Sequence, residues 1–105
     1  MSDNKKADAD MEQRARGKLV AETAKIPWRE LQRFFANGTA VFVSPTLDLV
    51  EAAYQLSVDN VKQVEKWRED GILCPMNDAL AIEWLEKDTL VWSVVARPWV
   101  LVQAI

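Results

Sequence analysis

The sequence has no histidine, one cysteine and three glycines in 105 residues, and each scarcity removes a class of chemistry. Without histidine, the commonest general base near neutral pH and the usual transition-metal ligand are both missing. Cys74 stands alone, so no internal disulfide forms. It lies in the apolar stretch ILCP with no neighbouring imidazole to draw off its proton, and reads as a small buried hydrophobe rather than a nucleophile. Gly17, Gly38 and Gly71 stand singly, and no phosphate-cradling loop can be assembled from them. The carboxylates Glu83, Glu86 and Asp88, or Asp48 and Glu51, fall on helical stretches, where solvated surface acids are the ordinary case. No enzyme activity, metal or cofactor is expected.

Long apolar runs are also missing. The longest, LVWSVVARPWVLVQAI, is sixteen residues interrupted by Arg97 and Pro98, short of the roughly twenty a membrane-spanning helix needs. The first residues, MSDNKKADADMEQRARGK, hold no apolar h-region. A cytoplasmic protein without membrane contact is therefore expected.

What is present is a core. Half the residues are apolar and five are tryptophan, enough for a chain of this length to fold without disulfides or metals. Charge is uneven. Residues 1–38 carry eight Lys/Arg against six Asp/Glu and residues 39–105 five against ten, for a net charge of −3. A polyanion would have to favour the N-terminal third.

Residues 1–10 are polar, without aromatic or β-branched side chains, and are expected to form a disordered tail ahead of a single domain over 11–105. Met11, Ala15, Leu19, Thr23 and Ile26 share one helical stripe, which predicts a first helix ended by Pro27. The same proline suits the first position of a second helix, PWRELQRFFANG, stopped at Asn37-Gly38. TAVFV reads as a strand, LDLVEAAYQL as a helix buried on most sides, and DNVKQVEKWRED as a helix turning Val61, Val64 and Trp67 inward before Gly71. ILCP is a short strand, DALAIEWLEKD a fifth helix with Leu80, Ala81, Trp84 and Leu85 inward, and residues 90–96 and 99–104 two closing strands. The expected fold is α+β: about five helices packed on a small, mainly antiparallel sheet, with a winged-helix-like α-β-α-α-β segment in the middle.

That middle segment raises the question of DNA. LSVDNVKQVEKWREDGIL resembles the second half of a helix-turn-helix, whose Asn60, Gln63 and Lys62 have the chemistry to meet base edges and phosphate. Yet the helix opens with Asp59, and its Asp59, Glu65, Glu69 and Asp70 outnumber Lys62, Lys66 and Arg68. Counterion release from Lys and Arg supplies non-specific affinity, and this helix offers little of it. Nucleic-acid binding is the alternative reading, carried by Arg14, Arg16, Lys18, Lys25, Arg29 and Arg33 rather than by this helix.

The closing strands point elsewhere. Between Leu90 and Ile105 the only polar residues are Ser93, Arg97 and Gln103, so both faces of the hairpin are apolar. Either helices cover each face or one face meets a partner. Pro98 lacks an N–H and belongs at an edge or bulge, which puts Trp99 beside that edge. The candidate interface is Trp92, Pro98, Trp99 and Leu101, and the expected partner is another protein or a second copy in a two-fold homodimer. The segments IPWRELQRFFANG, LDLVEAAYQLSVDNV and LVWSVVARPWVLVQ resemble a family of small bacterial proteins classed only as a domain of unknown function. The resemblance implies a bacterial, intracellular, stand-alone domain, and brings no activity, cofactor or site residue with it.

Overall fold

A computed structural model describes the backbone of residues 2–105 and the side chains of residues 9–105. The elements are α1 (Ser2–Glu22), β1 (Ala24–Pro27), a 3-10 turn (Trp28–Leu31), α2 (Gln32–Ala36), β2 (Ala40–Val43), α3 (Leu49–Ser57), α4 (Val61–Glu69), β3 (Leu73–Pro75), α5 (Asp78–Glu86), β4 (Leu90–Ala96) and β5 (Trp99–Ala104). Among the described residues this is α+β, five α-helices with one five-stranded sheet in the order β1-β4-β5-β2-β3. Every pairing is antiparallel except β2 with β5.

Local chemistry sets most boundaries. Asp48 caps α3 by accepting from the N–H groups of Val50 and Glu51 at 2.9 and 3.3 Å. Asn60 and Asn77 cap α4 and α5 in the same way. Gly71 ends α4 at φ 72°, where a side chain would be strained.

The start of the chain departs from expectation. α1 begins at Ser2 rather than Met11, so the segment expected as a tail carries helical backbone; the side chains of residues 2–8 lie outside the described ones. No proline interrupts Ser2–Glu22 and its only glycine is Gly17, and such a stretch is locally compatible with helix. Ile26 and Pro27 leave the two predicted helices and form β1, with Ile26 opposite Val91 and Pro27 opposite Leu90. Trp28 N–H continues the ladder to Thr89 O at 2.9 Å. Pro27 is tolerated because β1 lies at the sheet edge, where a missing donor leaves no orphaned acceptor.

Helices cover both faces of the sheet. On one, α1, α3 and α4 pack a core that includes Leu19, Ala52, Tyr54, Leu73, Val94 and Leu101. On the other, the 3-10 turn, α2 and α5 enclose Trp28, Leu31, Trp84, Val91, Val100 and Val102. Trp28 has no exposed surface, donates its indole N–H to Ala81 O at 3.0 Å, and meets Trp84 edge-on at 5.5 Å between ring centroids. The two-sided apolar pattern of β4 and β5 thus follows from burial within the chain, as in any sheet layered by helices on both sides. Val61 and Leu85 point outward rather than inward, because α4 and α5 each bury only a narrow stripe against the sheet.

Candidate functional site

The β4-β5 hairpin turns tightly at Arg97-Pro98, joined by a cis peptide bond, with Ala96 opposite Trp99. Leu101 lies on the same face as Trp99, two residues further along β5. It is 0% exposed in the chain's own core, so it offers a partner no surface, which corrects its place in the expected interface. Trp92 and Trp99 share that face but not a location. Trp92 stands opposite Gln103, four positions along β5 from Trp99 and hence about 13 Å away along the strand.

Trp92 is half-buried at the far end, beside a cleft of about 620 Å³ lined by Val20, Leu47 and Val50. The Lys25 ammonium sits 5.0 Å from its ring centroid. Gln103 donates to the carbonyls of Ser44 and Leu47 at 2.9 and 2.6 Å, tying the loop before α3 onto the sheet. This tryptophan is held by its own surroundings.

The Trp99 end is more open. Trp99 is 37% exposed, next to an exposed Pro98, at the mouth of a groove of about 400 Å³ walled by Leu56, Val61, Val64 and Leu73. Cys74 also lines it, half-buried rather than fully enclosed as expected. The α3-α4 turn is rigidly built: Asp59 takes φ 57°, Asn60 N–H reaches Gln55 O at 3.0 Å, and the Asn60 amide donates to Gln55 Oε1 at 2.7 Å. Asp tolerates the left-handed conformation, and Asx side chains lock such turns. The turn holds Val58 and Val61 outward, 51% and 53% exposed, which sequence periodicity misses because Val58 lies in a turn and Val61 falls on the same stripe as Val64 and Trp67. Asp59, Glu65 and Arg68 supply charges around the groove. The arrangement is that of a binding surface, an apolar centre with a charged rim.

The cations proposed for nucleic acid are dispersed and partly engaged. Arg16 pairs with Glu51 at 3.0 Å and with Glu12 at 3.5 Å, and Arg29 pairs with Asp88. The Arg33 guanidinium lies 4.8 Å from the Phe34 ring centroid. Hydrogen bonds from Arg16 and then Gln55 hold the Glu51 carboxyl below its ordinary pKa, and the same bond with Glu51 raises that of Arg16. No three or more His, Cys, Asp or Glu side chains among the described residues are gathered to hold a metal ion. No helix among them is long and apolar enough to cross a membrane.

Against known proteins, the model of the family described as protein of unknown function (DUF2288) matches residues 14–104. Among solved structures, the chain is similar to the solution NMR structure of PA1075 from Pseudomonas aeruginosa, at 43% identity and a TM-score of 0.76, covering 85% of this chain and 82% of that one. Comparison with curated proteins gives no match.

Proposed function

We propose that this chain, which belongs to the DUF2288 family of proteins of unknown function, is a non-enzymatic, cytoplasmic binding domain that associates through the Trp99 end of its hairpin, a second copy being the partner. The observation that carries this reading is the exposed Trp99 at the mouth of an apolar groove, with Val58 and Val61 turned to the surface by a rigid turn beside it. Large rings and aliphatic groups so presented are favourable interface anchors, since burying them removes apolar area from water without first ordering a loop. The rim suits a two-fold pairing. Arg68 of one copy can meet Asp59 or Glu65 of the other, so one patch carries both signs of charge. The absence of histidine and the dispersed carboxylates support a role in binding rather than catalysis.

Light scattering at micromolar concentration tests the pairing. The expected mass is near twice 11.9 kDa, and Trp99→Glu is expected to give a folded monomer whose cooperative unfolding is retained. A wild-type mass of one chain across the accessible concentration range excludes self-association through this patch.

A further inference from the structure

β4 outruns its neighbour. β1 pairs with it only from Leu90 to Ser93, leaving Val94, Val95 and Ala96 with no strand on that side. Two bonds fix which backbone groups face the gap. Val100 N–H donates to Thr39 O, so the even residues of β5 bond toward β2 and the odd ones toward β4, pairing Val94 with Leu101 and Ala96 with Trp99. Trp28 N–H donates to Thr89 O, so the odd residues of β4 bond toward β1. Both place the Val95 N–H and C=O on the open edge, opposite no strand. The other outer strands are blunted: β3 is three residues long and ends in Pro75, and β1 is four residues long and ends in Pro27.

A cleft of about 910 Å³ runs along this edge and wraps both faces of the sheet, with Leu19 of α1 on one side and Leu31 and Phe34 on the other. Among the described residues Lys18 and Arg97 also line it, against the one carboxylate of Glu22, a local excess of positive charge in a protein of net charge −3. We infer that this edge is a strand-addition site that takes an extended segment of a partner protein carrying acidic residues. Hydrogen-bond complementarity selects an extended backbone, the apolar walls select alternate apolar side chains, and Lys18 with Arg97 select carboxylates. The walls on both faces leave a slot for one chain. A second copy would bring its own helices against those walls and its own Lys18 and Arg97 against these, so it is not the occupant. The site lies across the end of α3 from the Trp99 patch, Ser57 lining one and Leu56 the other.

Amide exchange by NMR on the full-length ¹⁵N-labelled chain tests this, with an acetylated and amidated heptapeptide of alternating glutamate and valine as probe and its lysine-valine counterpart as control. In the free chain the Val95 amide is expected to exchange fast while the Val94 amide is protected. Adding the acidic peptide is expected to shift and protect Val95, and N-methylation of the peptide's central valine to abolish the effect. The lysine peptide is expected to bind about tenfold more weakly, and Arg97→Glu to weaken the acidic peptide about fivefold, the scale of one exposed ion pair. Trp99→Glu is expected to bind the acidic peptide as wild type does, which separates this site from the self-association patch. Slow exchange at Val95 in the free chain, whether from intramolecular cover or from a second copy, overturns the proposal. So does the lack of any Val95 shift at about 1 mM acidic peptide, a concentration that would half-saturate a site contributing only about 4 kcal/mol, or binding that survives N-methylation.

Discussion

Trp28 and Trp67 show how far a residue's type carries and where its neighbours take over. Both fall on apolar faces by spacing, and both read as core. Trp28 is enclosed on every side, its N–H bonded to Ala81 O and its ring set against Phe35 and Trp84, whereas Trp67 is half-buried where α4 covers the sheet margin. Trp28→Ala is expected to cost about 3 to 5 kcal/mol, because it opens a cavity and removes the buried indole hydrogen bond to Ala81 O. Trp67→Ala is expected to cost about 1 to 2 kcal/mol, in proportion to the smaller area removed from water. Urea midpoints of the two variants check the order, and a larger loss at Trp67 would place α4, not the 3-10 turn, at the centre of stability.

At the scale of elements, α1 is joined to α3 by Leu19 in the core and by Arg16, whose guanidinium holds Glu51 at 3.0 Å and lies 4.0 Å from the Tyr54 ring centroid. Glu51 has a pKa lowered from 4.5, first by the Arg16 hydrogen bond and then by Gln55. A carboxyl depressed in the folded state adds stability above its unfolded pKa and loses it as pH falls through the folded value. The contribution of this pair is therefore whole at pH 7 and fades below about pH 4.5. Because both side chains are about one-third exposed, Glu51→Gln is expected to cost no more than about 1 kcal/mol at neutral pH. The gap between the urea midpoints of wild type and variant is expected to narrow as the pH falls below about 4.5; a gap that stays constant with pH would mean that Glu51 acts by packing alone. β1 is the element that local reasoning lost. Its four residues carry a helical stripe and a helix-starting proline, and only the pairing with β4 gives them a better place.

For the molecule as a whole, the charge distribution bears on DNA. Only with the flanking Asp59 and Asp70 does the α4 segment carry more carboxylates than cations, four against three; Arg16 and Arg29 are engaged by carboxylates, and the N-terminal cations are spread between α1 and the opposite side of the sheet. Duplex DNA is expected to bind no tighter than the non-specific range of about 10⁻⁴ to 10⁻⁶ M at physiological salt. Nanomolar, salt-sensitive anisotropy would restore the nucleic-acid reading, and its loss on Lys62→Glu would move that reading onto α4.

Composition and period by themselves determined the α+β class, the helices α3 to α5, the strands β2 to β5 and the glycine stops at Gly38 and Gly71, because those features depend on interactions within a few residues. Which apolar faces were left over was decided only by the tertiary structure. The hairpin's two apolar faces looked from sequence like one face too many, yet α1, α3 and α4 cover one and the 3-10 turn, α2 and α5 the other. That layering buries Leu101, separates Trp92 from Trp99, and leaves Trp99 at the surface. Side-chain burial at these positions depends on residues tens of positions away, and the same is true of the open Val95 edge, which exists because β1 stops at Ala24.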